Sequence, residues 1–134
     1  YRLEKQMIVG DLALSDLPAA WNDGLESLLG IRPTNDREGC LQDIHWYDGA
    51  WGYFPTYTLG AMTAAQLFAA AQQSDPKISQ GIAKGNFIAL IAWLGKNVHS
   101  LGCSLKPADV IEKATGRPLD SVAFISHLKA RYLS

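Results

Sequence analysis

Apolar residues recur at three- and four-residue intervals along almost the whole of this chain, and that period leaves room for little but helix. The longest stripe is Phe87, Leu90, Ile91, Leu94, Val98 and Leu101, with Asn86 as its cap and Gly102 as its stop. A strand would throw these side chains to alternate faces, whereas a helix gathers them on one. Shorter stretches obey the same rule. Leu3, Met7 and Ile8 run up to Gly10, and Ser15 or Asp16 caps a second helix with Pro18 in its first turn and Trp21, Leu25 and Leu28 on one face as far as Gly30. Tyr57, Ala61, Ala64, Ala65 and Phe68 share a face in an alanine-rich run to Gln73, and Ser74 begins a short helix reaching Ala83. Pro107 starts another with Val110, Ile111 and Ala114, ended by Gly116 and Pro118, and Asp120 caps the last, with Phe124, Ile125, Leu128 and Tyr132 expected inward. The expected fold class is all-α, in one helical domain over residues 1–134.

One stretch breaks the period. Residues 39–57, GCLQDIHWYDGAWGYFPTY, crowd aromatic rings together with aspartate, glutamine and glycine and hold few ordinary core aliphatics. The composition is that of one wall of a binding or catalytic cleft, where aromatic surface gives shape and a few polar groups set orientation. Cys40 to Trp46 reads as a short extended stretch ended by the turn chemistry of Tyr47, Asp48 and Gly49. The result is an irregular aromatic segment or a small β-hairpin before Trp51.

Within it, His45 between Asp43 and Trp46 can donate a hydrogen bond or carry a proton near neutral pH, or it packs against Trp46. Tyr53 and Tyr57 offer phenolic donors, and Gly52 lets the backbone bring the Tyr53 ring close to whatever lies opposite; both tyrosines also suit a core. Gln42 and Asp43 position a substrate or satisfy the backbone of their own loop. Trp46, Trp51 and Phe54 suit packing, and His99 and His127 suit a helix surface.

Several classes are disfavoured. Twelve basic and thirteen acidic residues give a net charge of -1 with no long run of either sign, so nothing invites nucleic acid. Cys40 and Cys103 stand far apart, outside any metal-binding spacing, and resemble thiols of a reducing compartment. No apolar run approaches the ~20 residues of a membrane span, so a cytoplasmic protein is expected. No His-Glu-x-x-His, Gly-rich phosphate loop or Gly-x-Ser-x-Gly occurs, so no metal ligands are assigned and the catalytic centre is incomplete. The chain also opens at Tyr1 already in helical rhythm, as a piece of something longer would.

Gly39–Trp46 (GCLQDIHW) resembles the Gly-x-x-Gln-Asp-x-His-Trp signature of the M32 metallocarboxypeptidases, and Gly52–Gly60 (GYFPTYTLG) continues the likeness. The flanks from Tyr1–Lys5 to Ala114–Leu119 look similar as well. The resemblance implies the C-terminal part of a larger, zincin-like helical fold: a cytosolic, commonly dimeric enzyme that removes C-terminal amino acids from peptides. Zinc or another divalent metal would be held by a His-Glu-x-x-His helix and a later glutamate, which this chain lacks. Residues 39–57 then line the cleft. By that analogy Tyr53 stabilises the tetrahedral oxyanion, His45 hydrogen-bonds a substrate carbonyl, and Gln42, Asp43, Trp46 and Tyr57 contact substrate. The metal-assisted hydrolysis this implies needs the missing N-terminal part, so the chain alone should be inactive. A helical interaction module that keeps the aromatics for packing or for binding a peptide is the competing expectation.

Overall fold

A computed structural model describes residues 1–133, and it is all-α: seven helices and two short 3-10 turns, with no strand among the described residues. The helices are α1 (Arg2–Val9), α2 (Leu17–Leu29), α3 (Phe54–Ser74), α4 (Lys77–Ile82), α5 (Ile88–Asn97), α6 (Pro107–Thr115) and α7 (Val122–Tyr132). Of the two forms expected for residues 39–57, the irregular segment is the one found and the β-hairpin does not form. Backbone N–H groups of residues 48–50 are satisfied within their own turn, Asp48 by Ile44 O, Gly49 by Trp46 O and Ala50 by His45 O, so none is left to pair with a second strand.

The chain divides into two compact units, Tyr1–Tyr57 and Thr58–Ser134. In the first, α1 ends at Gly10 and α2 at Gly30, both in the left-handed conformation that glycine adopts at least cost. These helices pack on each other, and the long connection from residue 30 to residue 53 folds beside them, with Gly39 and Cys40 buried.

In the second unit α4 packs on α5 and α5 on α6, with Ala71, Ile78 and Ile111 buried. The fully buried residue of α3 in polar terms is Gln66, 1% exposed. Its amide Nε2 donates to Thr115 Oγ1 and to the carbonyls of Arg117 and Pro118, while its Oε1 accepts the N–H of Asp120. One side chain thus closes the turn between α6 and α7 and leaves few of its polar groups orphaned.

Several faces that the period marks as inward are open. In α5, Leu90, Trp93 and Leu94 are half-buried, whereas Ile91, and Phe87 just before the helix, are exposed; in α7, Phe124 is half-buried, whereas Ile125, Leu128 and Tyr132 are exposed. Tyr57, Ala61 and Ala64 of α3 are exposed too. Helix α5 also stops at Asn97 and continues only as a 3-10 turn over His99–Leu101. There Asn97 Nδ2 donates to Trp93 O and Ser100 Oγ to Lys96 O, side-chain bonds that compete with the helical ladder.

Candidate active site

The segment 39–57 is positioned first by a close approach. A Cβ on Gly39 would lie 3.1 Å from Asn22 Oδ1 and 3.4 Å from Asn35 O, so a side chain there would need the Asn22 side chain of α2 to give way by a few tenths of an ångström. Next comes a turn organised by Asp43. Its Oδ1 accepts the backbone N–H of His45 at 2.8 Å and lies 2.5 Å from the ring Nδ1. The backbone bond first, then the ring bond, hold the Asp43 carboxyl below the usual carboxylate range.

That pairing determines the histidine tautomer. A carboxylate can only accept, so the proton sits on Nδ1, and Nε2 of the neutral ring is left as a lone pair. The Tyr57 hydroxyl, 3.2 Å away, donates to it. A hydrogen-bonded line therefore runs from Asp43 through His45 to Tyr57 on the first turn of α3.

Ring packing holds the line in place. The His45 ring centroid lies 4.5 Å from that of Phe54, 5.5 Å from Tyr53 with planes 27° apart, and 5.8 Å from Tyr57 edge-on. Tyr53 and Tyr57 are themselves 5.4 Å apart. Behind them Trp46 meets Trp21 edge-to-face at 5.9 Å and stacks on Trp51 at 5.8 Å, geometries in which ring quadrupoles attract. Its indole N–H is buried and, among the described residues, lacks a hydrogen-bond partner, as does that of Trp21. Trp46 thus serves as a rear wall, while the tyrosines face outward: Tyr53 is 50% and Tyr57 57% exposed.

Asp43, His45, Trp46, Tyr53 and Tyr57 are thus brought together, and Gln42 lies exposed on the same connection. His99 and His127 belong to the second unit. The residue that the sequence reading missed is Glu4: its side chain is 2% exposed, and its Oε1 accepts the N–H of Gly52. A signal was present, because Glu4 stands one helical turn before Met7 and Ile8 and so interrupts the apolar stripe of α1 with a charge. No group of three or more His, Cys, Asp or Glu among the described residues could hold a metal ion, and Asp43 and His45 are engaged with each other.

A family model described as carboxypeptidase Taq (M32) metallopeptidase matches residues 1–132. The chain belongs to the M32 family. It is 41% identical over 133 residues to thermostable carboxypeptidase 1 of Pyrococcus furiosus, covering 99% of this chain and 27% of that protein. It is 39% identical to carboxypeptidase 1 of Bacillus subtilis, covering 98% and 26%. Among solved structures, Trypanosoma cruzi metallocarboxypeptidase 1 superposes with a TM-score of 0.94 at 36% identity, over 100% of this chain and 28% of that one. The M32 chain described here therefore spans about a quarter of the length of the curated relatives it matches. None of its helices, among the described residues, is long and apolar enough to cross a membrane.

Proposed function

We propose that this chain is the C-terminal portion of an M32 carboxypeptidase and supplies the substrate-handling wall of the cleft in which C-terminal residues are cleaved from peptides. The observation that carries this reading is the Asp43–His45–Tyr57 line with the open Tyr53 phenol beside it. Such a wall offers a phenol donor, Tyr53, held by its neighbouring rings before substrate arrives, as stabilisation of a developing oxyanion requires.

Each residue has a role in that reading. Tyr53 donates its hydroxyl to the scissile carbonyl oxygen as that oxygen gains charge. Tyr57 is a substrate contact held by His45: its one proton goes to Nε2 of the neutral ring, which leaves its oxygen free to accept. The Nδ1 proton of His45 is committed to Asp43, so His45 donates to a substrate carbonyl from Nε2 only as imidazolium; as the neutral ring it orients Tyr57 instead. Asp43 holds the tautomer, Gln42 reaches the peptide backbone from its exposed position, and Trp46 is the wall behind the ring.

The divalent metal that a metallopeptidase implies does not fit the residues present, so its ligands are assigned to the preceding portion of the enzyme and no step is routed through it. That portion is then this chain's principal partner. The complete enzyme is taken to be cytoplasmic, which suits two free thiols.

The test is Tyr53→Phe in the complete enzyme. A lost oxyanion donor should lower kcat by about 10²–10³-fold with little change in KM. Unchanged kcat would remove the role. The 134-residue chain by itself should neither bind zinc tightly nor release C-terminal residues from a peptide.

A further inference from the structure

We propose that Glu4 is a positioning residue, a buried carboxylate that fixes Gly52 and through it the direction of Tyr53. The inference rests on the role given to Tyr53 above.

A carboxylate is costly to remove from water unless charge or hydrogen bonds replace its hydration. Glu4 is 2% exposed, and the ion pairs among the described residues do not include it. Its Oε1 instead accepts the N–H of Gly52, 48 residues away, and its Oε2 is buried with no hydrogen-bond partner among the described residues. A methionine or leucine at this place in α1 would fill similar space without bringing a charge inside. What the carboxylate adds is one charge-assisted bond, of the stronger kind, to a single backbone amide.

That amide is well chosen for aiming the phenol. Gly52 sits at φ +80°, directly before Tyr53, so rotation about its backbone swings the tyrosine. The local ties of this turn are a bond of 3.3 Å from Tyr53 N–H to Ala50 O and the bonds from Thr56 N–H and Oγ1 to Tyr53 O. They join the turn to itself and to α3. The Glu4 bond joins it to α1, and so gives the phenol a reference outside its own loop. Side chains that hold a reacting group from behind commonly matter nearly as much as the group itself.

The experiment is a double-mutant cycle in the complete enzyme. Glu4→Met should lower kcat about 10- to 100-fold with KM within about threefold, because a displaced donor costs transition-state stabilisation more than binding. Glu4→Gln keeps an acceptor oxygen for Gly52 and should stay within about fivefold of the parent. In a Tyr53→Phe background, Glu4→Met should cost less than about threefold, because the group it aims has gone. If the two losses multiply, or if Glu4→Met leaves kcat unchanged while Tyr53→Phe lowers it, the Glu4 proposal is overturned and the reading of Tyr53 stands. If Tyr53→Phe alone leaves kcat unchanged, both fall. Should Glu4→Met fail to fold, hydrogen exchange decides: a peptide spanning residues 50–54 should exchange at least about threefold faster in Glu4→Gln, whose neutral oxygen is the weaker acceptor. Equal exchange there would overturn the proposal.

Discussion

Replacing Gln66 by leucine is the perturbation whose cost can be worked out most directly. Leucine has similar bulk but no polar atoms, so the four bonds of the Gln66 amide are lost together. Not all of their partners are stranded. The single hydroxyl proton of Thr115 lies between Ile111 O at 2.9 Å and Arg117 O at 3.0 Å; Ile111 O also accepts within the ladder of α6, so that proton can serve Arg117 O. Pro118 O and the N–H of Asp120 are the two groups left without their partner. Each orphaned buried group costs about 1–3 kcal/mol, but this turn lies at the surface, with Gly116, Arg117 and Pro118 exposed, so the lower part of the range applies. Part of the sum is offset by the apolar side chain gained at a 1% exposed position, leaving about 1–3 kcal/mol of destabilisation. With a urea m-value of about 1–3 kcal/mol per molar, the midpoint should fall by about 1 M.

Gln66→Glu sharpens the assay. Its oxygen can still accept from Asp120, but the second oxygen faces the carbonyls of Arg117 and Pro118, so a charged side chain there is repelled. This carboxyl should therefore bind its proton more readily in the folded state than in the unfolded one. Stability lost at neutral pH should then return as pH falls, since the protonated acid can donate to those carbonyls. Equilibrium urea unfolding of parent, Gln66→Leu and Gln66→Glu at neutral and mildly acidic pH reads both effects. A Gln66→Leu midpoint equal to the parent, or a Gln66→Glu deficit that does not shrink on acidification, would refute the reasoning.

Other outcomes are open to simple measurement. The Asp43 carboxyl is held below its usual range by His45, so its contribution is present above about pH 4 and is lost as pH falls through the lower folded value; the combined fluorescence of Trp46 and the tryptophans packed on it should report the turn opening on that acid limb, and Asp43→Ala should abolish the transition. Burial, reinforced by Asp36, pushes the Cys40 thiol up, so a thiol reagent should label exposed Cys103 well before Cys40, and labelling at equal rates would contradict the buried placement. Gly81→Ala should destabilise by about 1–3 kcal/mol because its Cβ would lie 2.6 Å from Asn86 O, whereas Gly24→Ala, with open space inside α2, should stabilise the isolated chain by about 0.5–1 kcal/mol; a thermal melt of the pair checks the contrast.

Much of the helical layout is visible in the sequence because it is local. Gly10, Gly30 and Gly116 end α1, α2 and α6 as read, since a helix stop depends on whether the next residue can take a positive φ. The α5 boundary was less visible: the apolar stripe continues through Val98 and Leu101, but the polar side chains of Asn97 and Ser100 divert the backbone, and periodicity does not register that competition. The Asp43 oxygen that satisfies its own loop also holds the His45 ring, a contact that neither reading of Asp43 named, because sequence neighbours do not reveal which way a ring turns.

The sequence by itself determined the all-α class, the family and the crowding of aromatic and polar groups in residues 39–57, because repeat period, glycine stops and a signature are properties of neighbours along the chain. Tertiary structure decided which faces are covered and which distant groups meet. Periodicity marks Ile91 and Ile125 as apolar, but only packing shows that they are exposed. Nothing local links Glu4 to Gly52 or Gln66 to the turn before α7, pairs about fifty residues apart, since each bond exists only once separate helices bring a buried polar group within reach of a backbone that needs it.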